Sequence, residues 1–488
     1  MVELTIFALG ILLIDLMIPR QWKWLNAVGA FAGVFFAAVC TWQIQTTLPN
    51  GAAGFSYSLT VDRFAIYFWY LFLASAAVAI LMSVRYLDIE DEHHGEYYAL
   101  LLFSVVGMMC MAAGIDIVLL FIGLELMAIS IYVLVGFLRR DRRSNEAALK
   151  YLLLGAFSSG IFAYGLSLLY GLSGSTNLVG ITRAVAAKDA HNPVVVIALL
   201  TTTVGLLFKI AAVPFHQWAP DAYEGAPTSI TGFMSVAVKA AAWALLLRIL
   251  VSGLYSLRSV YTPIIVFVAI ATMTGGNLAA LTQTNTKRLL AYSSIAHVGY
   301  MLLALVAIGT SAIGSPGFTD GLKGILVYLL VYTFMNLGVF AVITSLRQRN
   351  VIGDELDDLA GLYSRAPVEA VLMFLFLLSL AGIPPAAGFL GKYYIFLSLI
   401  ESQHYLLAAL AVLYALFGLY YYLRIANAMF MREATEAERL PVSLGMKAAV
   451  GITALATILI GVFPEPFIRT VNWSLGIAQA PHVTAMVR

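Results

Sequence analysis

The 488-residue chain is 61% hydrophobic and only 11% charged, with a mean hydropathy of +0.91 and a formal net charge of +2. Soluble domains carry about 25% charged residues, so no single soluble core can hide this apolar content, whereas about 298 apolar residues suffice for some fourteen spans of roughly 20 residues. The near-neutral balance excludes a basic field for nucleic acid, and Cys40 and Cys110, which form no CxxC pair, exclude a thiolate set for an iron–sulfur cluster or zinc and a disulfide framework.

The chain reads as an all-α polytopic membrane protein. It opens on Met1-Val-Glu-Leu, with acid where a signal peptide carries base and nothing like a cleavage site behind it, so the first helix is expected to be retained. Apolar runs predict spans at about 4–19, 25–45, 64–84, 96–113, 115–138, 146–172, 192–223, 226–252, 261–282, 287–309, 322–346, 366–400, 403–430 and 443–463. The longest polar stretches, 85–95, 173–191 and 347–365, are too short for a domain. No GxGxxG follows a strand and no GxxxxGK[ST] occurs. A nucleotide or flavin would have nowhere to sit, so any redox chemistry belongs to partners. Of the 28 Lys and Arg, fifteen fall in the odd-numbered connections, eight on the other side and five within spans; Arg349 and Arg439 are among the fifteen and Arg488 among the eight. That imbalance places both termini outside and the basic residues of 139–143 in the cytoplasm.

Spans seven and twelve, about 32 and 35 residues, exceed what tilt accommodates. Each carries a similar interruption, Ala211-Ala212-Val213-Pro214 in one and Ala381-Gly382-Ile383-Pro384-Pro385 in the other. Proline removes a helix donor and clashes with the preceding turn, so Pro214, Pro384 and Pro385 predict broken helices. Such a break is tolerated in a bilayer only where protein or water satisfies the backbone. Five spans separate the two breaks, so the broken helices run in opposite directions, the pattern of inverted repeats. The expected organisation is an N-terminal three-helix segment (1–95), a first repeat of spans 4–8 (96–254), an inverted second repeat of spans 9–13 (261–430), and a C-terminal helix and tail (431–488). Two unrelated proline kinks are the alternative.

Glu125, Lys209, Lys239 and Lys392 sit well inside spans. An ionisable residue at a helix centre costs about 2.5–3.5 kcal/mol, so four facing lipid would cost roughly 10 kcal/mol; they must face one another or water. Burial disfavours a lysine's charge and a nearby carboxylate restores it. A glutamate brought near to or moved from Lys209, which lies beside a break, can therefore switch its hold on a proton, and Lys239 and Lys392 would extend the path across both repeats. A static salt bridge with two solvated lysines is the alternative, although one acid cannot neutralise three lysines.

Other positions carry less. Lys150, beside the basic 139–143 stretch, can load protons or simply snorkel. His297, in the tenth span, can relay protons through two ring nitrogens or serve as a hydrogen-bonded core histidine. His216 can equally fix the first break or move a proton. Asp221 and Glu224 read as solvated or capping, Arg424 as an interfacial anchor, and Asp15, Asp116 and Glu401 as span-end residues.

The strings LFIGLEL, KIAAVPFHQWAPDAYEGAPT, TNTKRLLAYSSIAHVGYM and LSLAGIPPAAGFLGKYYIF resemble the subunit N family of bacterial NADH–quinone oxidoreductase (respiratory complex I), part of the antiporter-like group that includes mitochondrial subunit 2 and the large subunits of multisubunit Na+/H+ antiporters. The resemblance covers essentially the whole chain. Stretch 380–396 is the most specific, with Lys392 where a sister subunit would carry glutamate. About 25 residues follow the last span, too few for the long lateral helix of another sister. The resemblance implies a proton-pumping module of a membrane arm in the bacterial inner membrane, with Glu125, Lys209, Lys239 and Lys392 as its axis. It also implies NADH, FMN, iron–sulfur clusters and quinone in partner subunits, with no cofactor or metal in this chain. A cation/proton antiporter subunit without redox chemistry is the competing reading. A purely structural scaffold leaves the four central ionisable residues unexplained.

Overall fold

The structure, a computed structural model, describes residues 1–48, 51–347, 353–433 and 442–476; Arg349, Arg439 and Arg488, counted above for orientation, lie outside them. The described chain runs α1 (Val2–Asp15), α2 (Leu25–Thr47), a short hairpin of β1 (Ala52–Gly54) and β2 (Leu59–Val61), α3 (Arg63–Glu90), α4 (Gly95–Ala113), α5 (Ile117–Val135), α6 (Arg142–Ser173), α7 (Leu178–Ala186), α8 (Pro193–Lys209) and α9 (Trp218–Gly225). It continues through α10 (Thr228–Phe233), α11 (Lys239–Leu246), α12 (Arg258–Thr282), α13 (Thr286–Thr310), α14 (Pro316–Ser345), a single turn α15 (Leu362–Arg365), α16 (Pro367–Ala381), α17 (Ala387–Glu401), α18 (Tyr405–Met431), α19 (Leu444–Val462) and α20 (Glu465–Leu475). Among the described residues eleven helices are long and apolar enough to cross a membrane, which makes this an all-α polytopic membrane protein.

Short polar residues start these helices by accepting free backbone N–H groups. Asp62 accepts from Ala65 N at 2.8 Å, Asp116 from Val118 N at 2.8 Å, Asp141 from Arg143 N at 2.8 Å and Asn285 from Arg288 N at 3.1 Å. Asn192 caps α8, where Pro193 occupies a position that needs no donor. The span Thr228–Gly253 is buried at every residue but Ser252 and α13 and α14 are nearly so, whereas α2, α6, α18 and α19 carry exposed apolar faces. The enclosed span departs from α-geometry twice, at π-helical Met234–Val238 and Leu247–Gly253, on either side of α11; the bond from Leu254 N to Ile249 O, 2.8 Å, closes the second wider turn.

Both expected breaks are present, between Lys209 and Trp218 and between Ala381 and Ala387. The physical reason differs from the one read in the sequence. Each helix ends before its proline, at a left-handed residue: Ala211 (φ +60°) and Gly382 (φ +82°). Ala211 N donates to Phe208 O and Ala212 N to Leu207 O, both at 3.0 Å; Gly382 N donates to Ser379 O at 2.9 Å and Ile383 N to Leu378 O at 3.1 Å. This paired 5→2 and 6→1 bonding is the Schellman ending, and the prolines keep the chain from resuming the helix. Neighbours take the remaining groups, as a bilayer interior demands. Val213 N donates to Thr272 Oγ1 (3.0 Å), Trp218 Nε1 to Phe208 O (3.0 Å) and Gly388 N to Ser379 Oγ (3.0 Å).

Three further features escaped the sequence reading. Stretch 173–191 is not merely a connection, since it carries α7, and α20 follows the last apolar helix. Arg248, at the end of the enclosed span, is buried. Its Nη2 meets Asp62 at 2.6 Å and its Nε donates to Ala112 O at 3.0 Å, clamping the start of α3 and the end of α4 to the end of the enclosed span.

Candidate functional site

Lys209, Lys239 and Lys392 are 3%, 2% and 6% exposed, and no carboxylate lies within ion-pair distance, 4.0 Å, of any of them among the described residues. Glu125 is half-buried, and its Oε1 is enclosed without a hydrogen-bond partner. Glu125 and Lys209 are within electrostatic reach but not in contact. The static Glu125–Lys209 salt bridge weighed as an alternative is therefore not present. Lys209, the last residue of α8, instead donates to the Tyr132 hydroxyl at 3.3 Å, and its Nζ lies 5.7 Å from the centre of that ring. Tyr132 stands seven residues after Glu125 on α5, two turns along the same face. Edge contact with Tyr151 (4.6 Å) and the Tyr151–Trp218 stack (4.3 Å) hold this aromatic wall against α9.

Lys239 opens α11 directly after a π-helical turn; such turns re-aim side chains and recur at functional sites. Its Nζ bonds the Ser294 hydroxyl and lies 5.8 Å from the Tyr223 ring centre. Ser294, His297 and Tyr300 follow at intervals of three along α13 and share one face. His297 bonds the Tyr328 hydroxyl through Nδ1 and the Tyr422 hydroxyl through Nε2 at 2.9 Å, and Tyr422 also bonds Ser293. Beyond it, Lys392 places its Nζ 5.3 Å from the Tyr300 ring centre. This lysine also donates to Ala381 O at 2.6 Å and Leu380 O at 3.3 Å, carbonyls left open where α16 ends. One face of α13 thus meets Lys239 at Ser294 and Lys392 at Tyr300, with His297 between them in sequence. Tyr132, Tyr328 and Tyr422, which complete these contacts, were not singled out in the sequence; only the seven-residue step from Glu125 to Tyr132 left a signal.

The remaining candidates divide. Lys150 lies at the exposed rim, bonded to Glu146 (2.7 Å) and Asp221 (2.9 Å). Asp221 and Glu224, read as solvated or capping, are instead ion-paired: Arg288 Nη1 reaches both at 2.7 Å, because α13 passes directly beside α9. Lys287, in the first turn of α13, is buried, donating to Ala226 O (3.0 Å) and facing Asp354 (3.6 Å). His216 lies in the first break with Nδ1 enclosed and unpartnered. Arg424 donates to Leu281 O at 2.8 Å near the end of α12. Asp116 caps α5, and Asp15 pairs with Lys23 at 2.8 Å. No cluster of three or more His, Cys, Asp or Glu that could hold a metal occurs among the described residues.

A bundle of broken and continuous membrane helices carrying buried lysines defines the antiporter-like class of membrane subunits. The comparisons agree: residues 114–418 match the family model described as NADH:quinone oxidoreductase/Mrp antiporter, TM. The chain is 64% identical over 498 aligned positions to NADH-quinone oxidoreductase subunit N 1 of Koribacter versatilis (100% of this chain, 96% of that one) and 54% identical to subunit N 2 of Solibacter usitatus (97% and 96%). Among solved structures, a chain of respiratory complex I from Thermus thermophilus with bound aureothin superposes with a TM-score of 0.80 at 30% identity, covering 96% of this chain and 98% of that one. A chain of the Mrp complex from Dietzia sp., 20% identical with a TM-score of 0.80 and covering 99% of each, shares the fold. The chain belongs to the subunit N family of NADH-quinone oxidoreductase, the antiporter-like membrane-arm subunits of respiratory complex I.

Proposed function

We propose that this subunit carries protons outward across the bacterial inner membrane while partner subunits, holding the FMN and iron–sulfur clusters, pass electrons from NADH to quinone. The observation that carries this reading is the set of three buried lysines with no carboxylate in contact, two of which meet the Ser294–His297–Tyr300 face of α13 at its two ends. A buried lysine without a paired anion holds its proton weakly, so movement of Glu125 toward or away from Lys209 loads or unloads it. Lys209, Lys239, His297 and Lys392 then act as successive stations. A histidine bonded through both nitrogens can accept a proton on one and release it from the other, and the hydroxyls of Tyr328 and Tyr422 keep both bonded. The breaks place Lys209 and Lys392 beside the two points where a helix can flex, and their matching endings support a division into inverted repeats at 96–254 and 261–430, flanked by 1–95 and 431–488. Fourteen crossings with both termini outside complete this reading. The 64% and 54% identical relatives favour the redox-linked reading over a free-standing antiporter.

The test is proton uptake per NADH oxidised in inside-out membrane vesicles with normally assembled complex. Glu125→Gln and Lys209→Met should each lower it. Unchanged uptake in both variants would remove the basis for the relay.

A further inference from the structure

Glu125 and Lys209 do not touch, and the register of α5, α6 and α8 shows what lies between them. The rings of Phe121 and Phe162 stack at 6.3 Å and those of Tyr132 and Tyr151 meet at 4.6 Å, so α5 and α6 run antiparallel with Phe121 opposite Phe162. On the other side, a Cβ placed on Gly205 would lie 2.5 Å from Phe162 Cβ, and one on Gly165 would lie 2.6 Å from Thr202 N. Helices α6 and α8 are therefore also antiparallel, with Gly205 opposite Phe162. Glu125 is four residues after Phe121, Lys209 four after Gly205, and Ser158 four before Phe162; each is one turn from the shared level. All three come to one height, with α6 common to both pairings.

Ser158 is 4% exposed and its neighbour Ser159 6%, and neither hydroxyl has a hydrogen-bond partner, nor does Glu125 Oε1. Buried hydroxyls ordinarily find a partner, and three enclosed polar atoms without one at a single level are the setting in which proteins hold water. Resting on the relay reading above, we propose that Ser158, supported by Ser159, holds a water bridge between Glu125 and Lys209 and is a positioning residue for proton passage between them. Ser158 takes no net charge. Its hydroxyl accepts one hydrogen bond and donates another, orienting the water that Lys209 and Glu125 share.

Valine and threonine match in shape and differ by one hydroxyl, so the pair Ser158→Val and Ser158→Thr separates hydrogen bonding from packing. In inside-out vesicles, Ser158→Thr should pump protons near the unsubstituted level. Ser158→Val should fall to the level of Glu125→Gln, and the solvent deuterium isotope effect on its residual pumping should rise. Lys209→Met is measured alongside. If Lys209→Met loses pumping while Ser158→Val pumps as well as Ser158→Thr, the bridge is wrong and the relay stands. If Lys209→Met itself pumps normally, the relay fails and the bridge with it.

Discussion

His297 separates a proton station from a static core residue, because substitutions there affect stability and pumping by different rules. Replacing it with leucine removes both ring nitrogens. The Tyr328 hydroxyl, on a side chain 2% exposed, is then buried with no partner among the described bonds, a loss of about 1–3 kcal/mol. Tyr422 keeps its bond to Ser293 and loses only the one to Nε2, about 0.5–1.5 kcal/mol. The sum, about 1.5–4.5 kcal/mol, should appear as lowered thermal stability of the solubilised complex. His297→Gln retains a donor and an acceptor to serve the two phenols, so its cost should stay below that of His297→Leu. Glutamine, however, does not take up and release a proton. The expected result is that both variants lose pumping to a similar degree in vesicles, although only His297→Leu loses much stability. If pumping instead tracked stability, with His297→Gln near the unsubstituted level, His297 would be a structural residue and the link from Lys239 to Lys392 would need another route.

Three other substitutions test separate parts of the account. Ala211→Gly relieves an L-residue held in the left-handed region, strain of roughly 1–2 kcal/mol, so thermal stability should rise slightly with pumping retained; a drop in stability would contradict the ending assigned to α8. Lys150→Gln should pump nearly normally, since its side chain is 46% exposed, such pairs contribute about 0–1 kcal/mol, and Arg288 still holds Asp221; a loss as deep as that of Lys209→Met would make Lys150 an obligatory station. Arg248→Met strands Asp62 without its buried partner, a loss of about 3–5 kcal/mol. The subunit should then be depleted from the purified complex, with partial recovery in Arg248→Met/Asp62→Asn; normal assembly of Arg248→Met would show that the clamp is dispensable.

What was legible in the sequence follows the range of the forces involved. The two broken helices could be read because an apolar run of over 30 residues is too long for one span, a local property. Where each helix ends could be read less well: Gly382 advertises a left-handed ending, but Ala211 adopts the same conformation without a glycine to announce it. Lys209, Lys239 and Lys392 stood out because a charge in an apolar run is costly wherever it lands. Their partners did not, because tyrosine is ordinary in a membrane helix and only packing brings Tyr132 to Lys209 or Tyr328 to His297. The Arg248–Asp62 pair spans 186 positions, and the π-helical turn before Lys239 falls in Met234–Val238, a run without the glycine or proline that marks the two breaks. Asp221 and Glu224 were misread for a related reason: nothing near them in sequence indicates that Arg288 of α13 will reach across to both.

Lys392 offers the most direct test of proton passage. In the structure it could serve merely as a charged cap on the open carbonyls of Leu380 and Ala381, and arginine would fill that role, keeping the charge and the donors. Arginine does not give up its proton in proteins, so it cannot be a station. The measurement is the number of protons taken up per electron pair in inside-out vesicles bearing Lys392→Arg, with assembly of the complex verified. The account predicts a lowered ratio, matching that of Lys392→Met; an unchanged ratio in Lys392→Arg would contradict it.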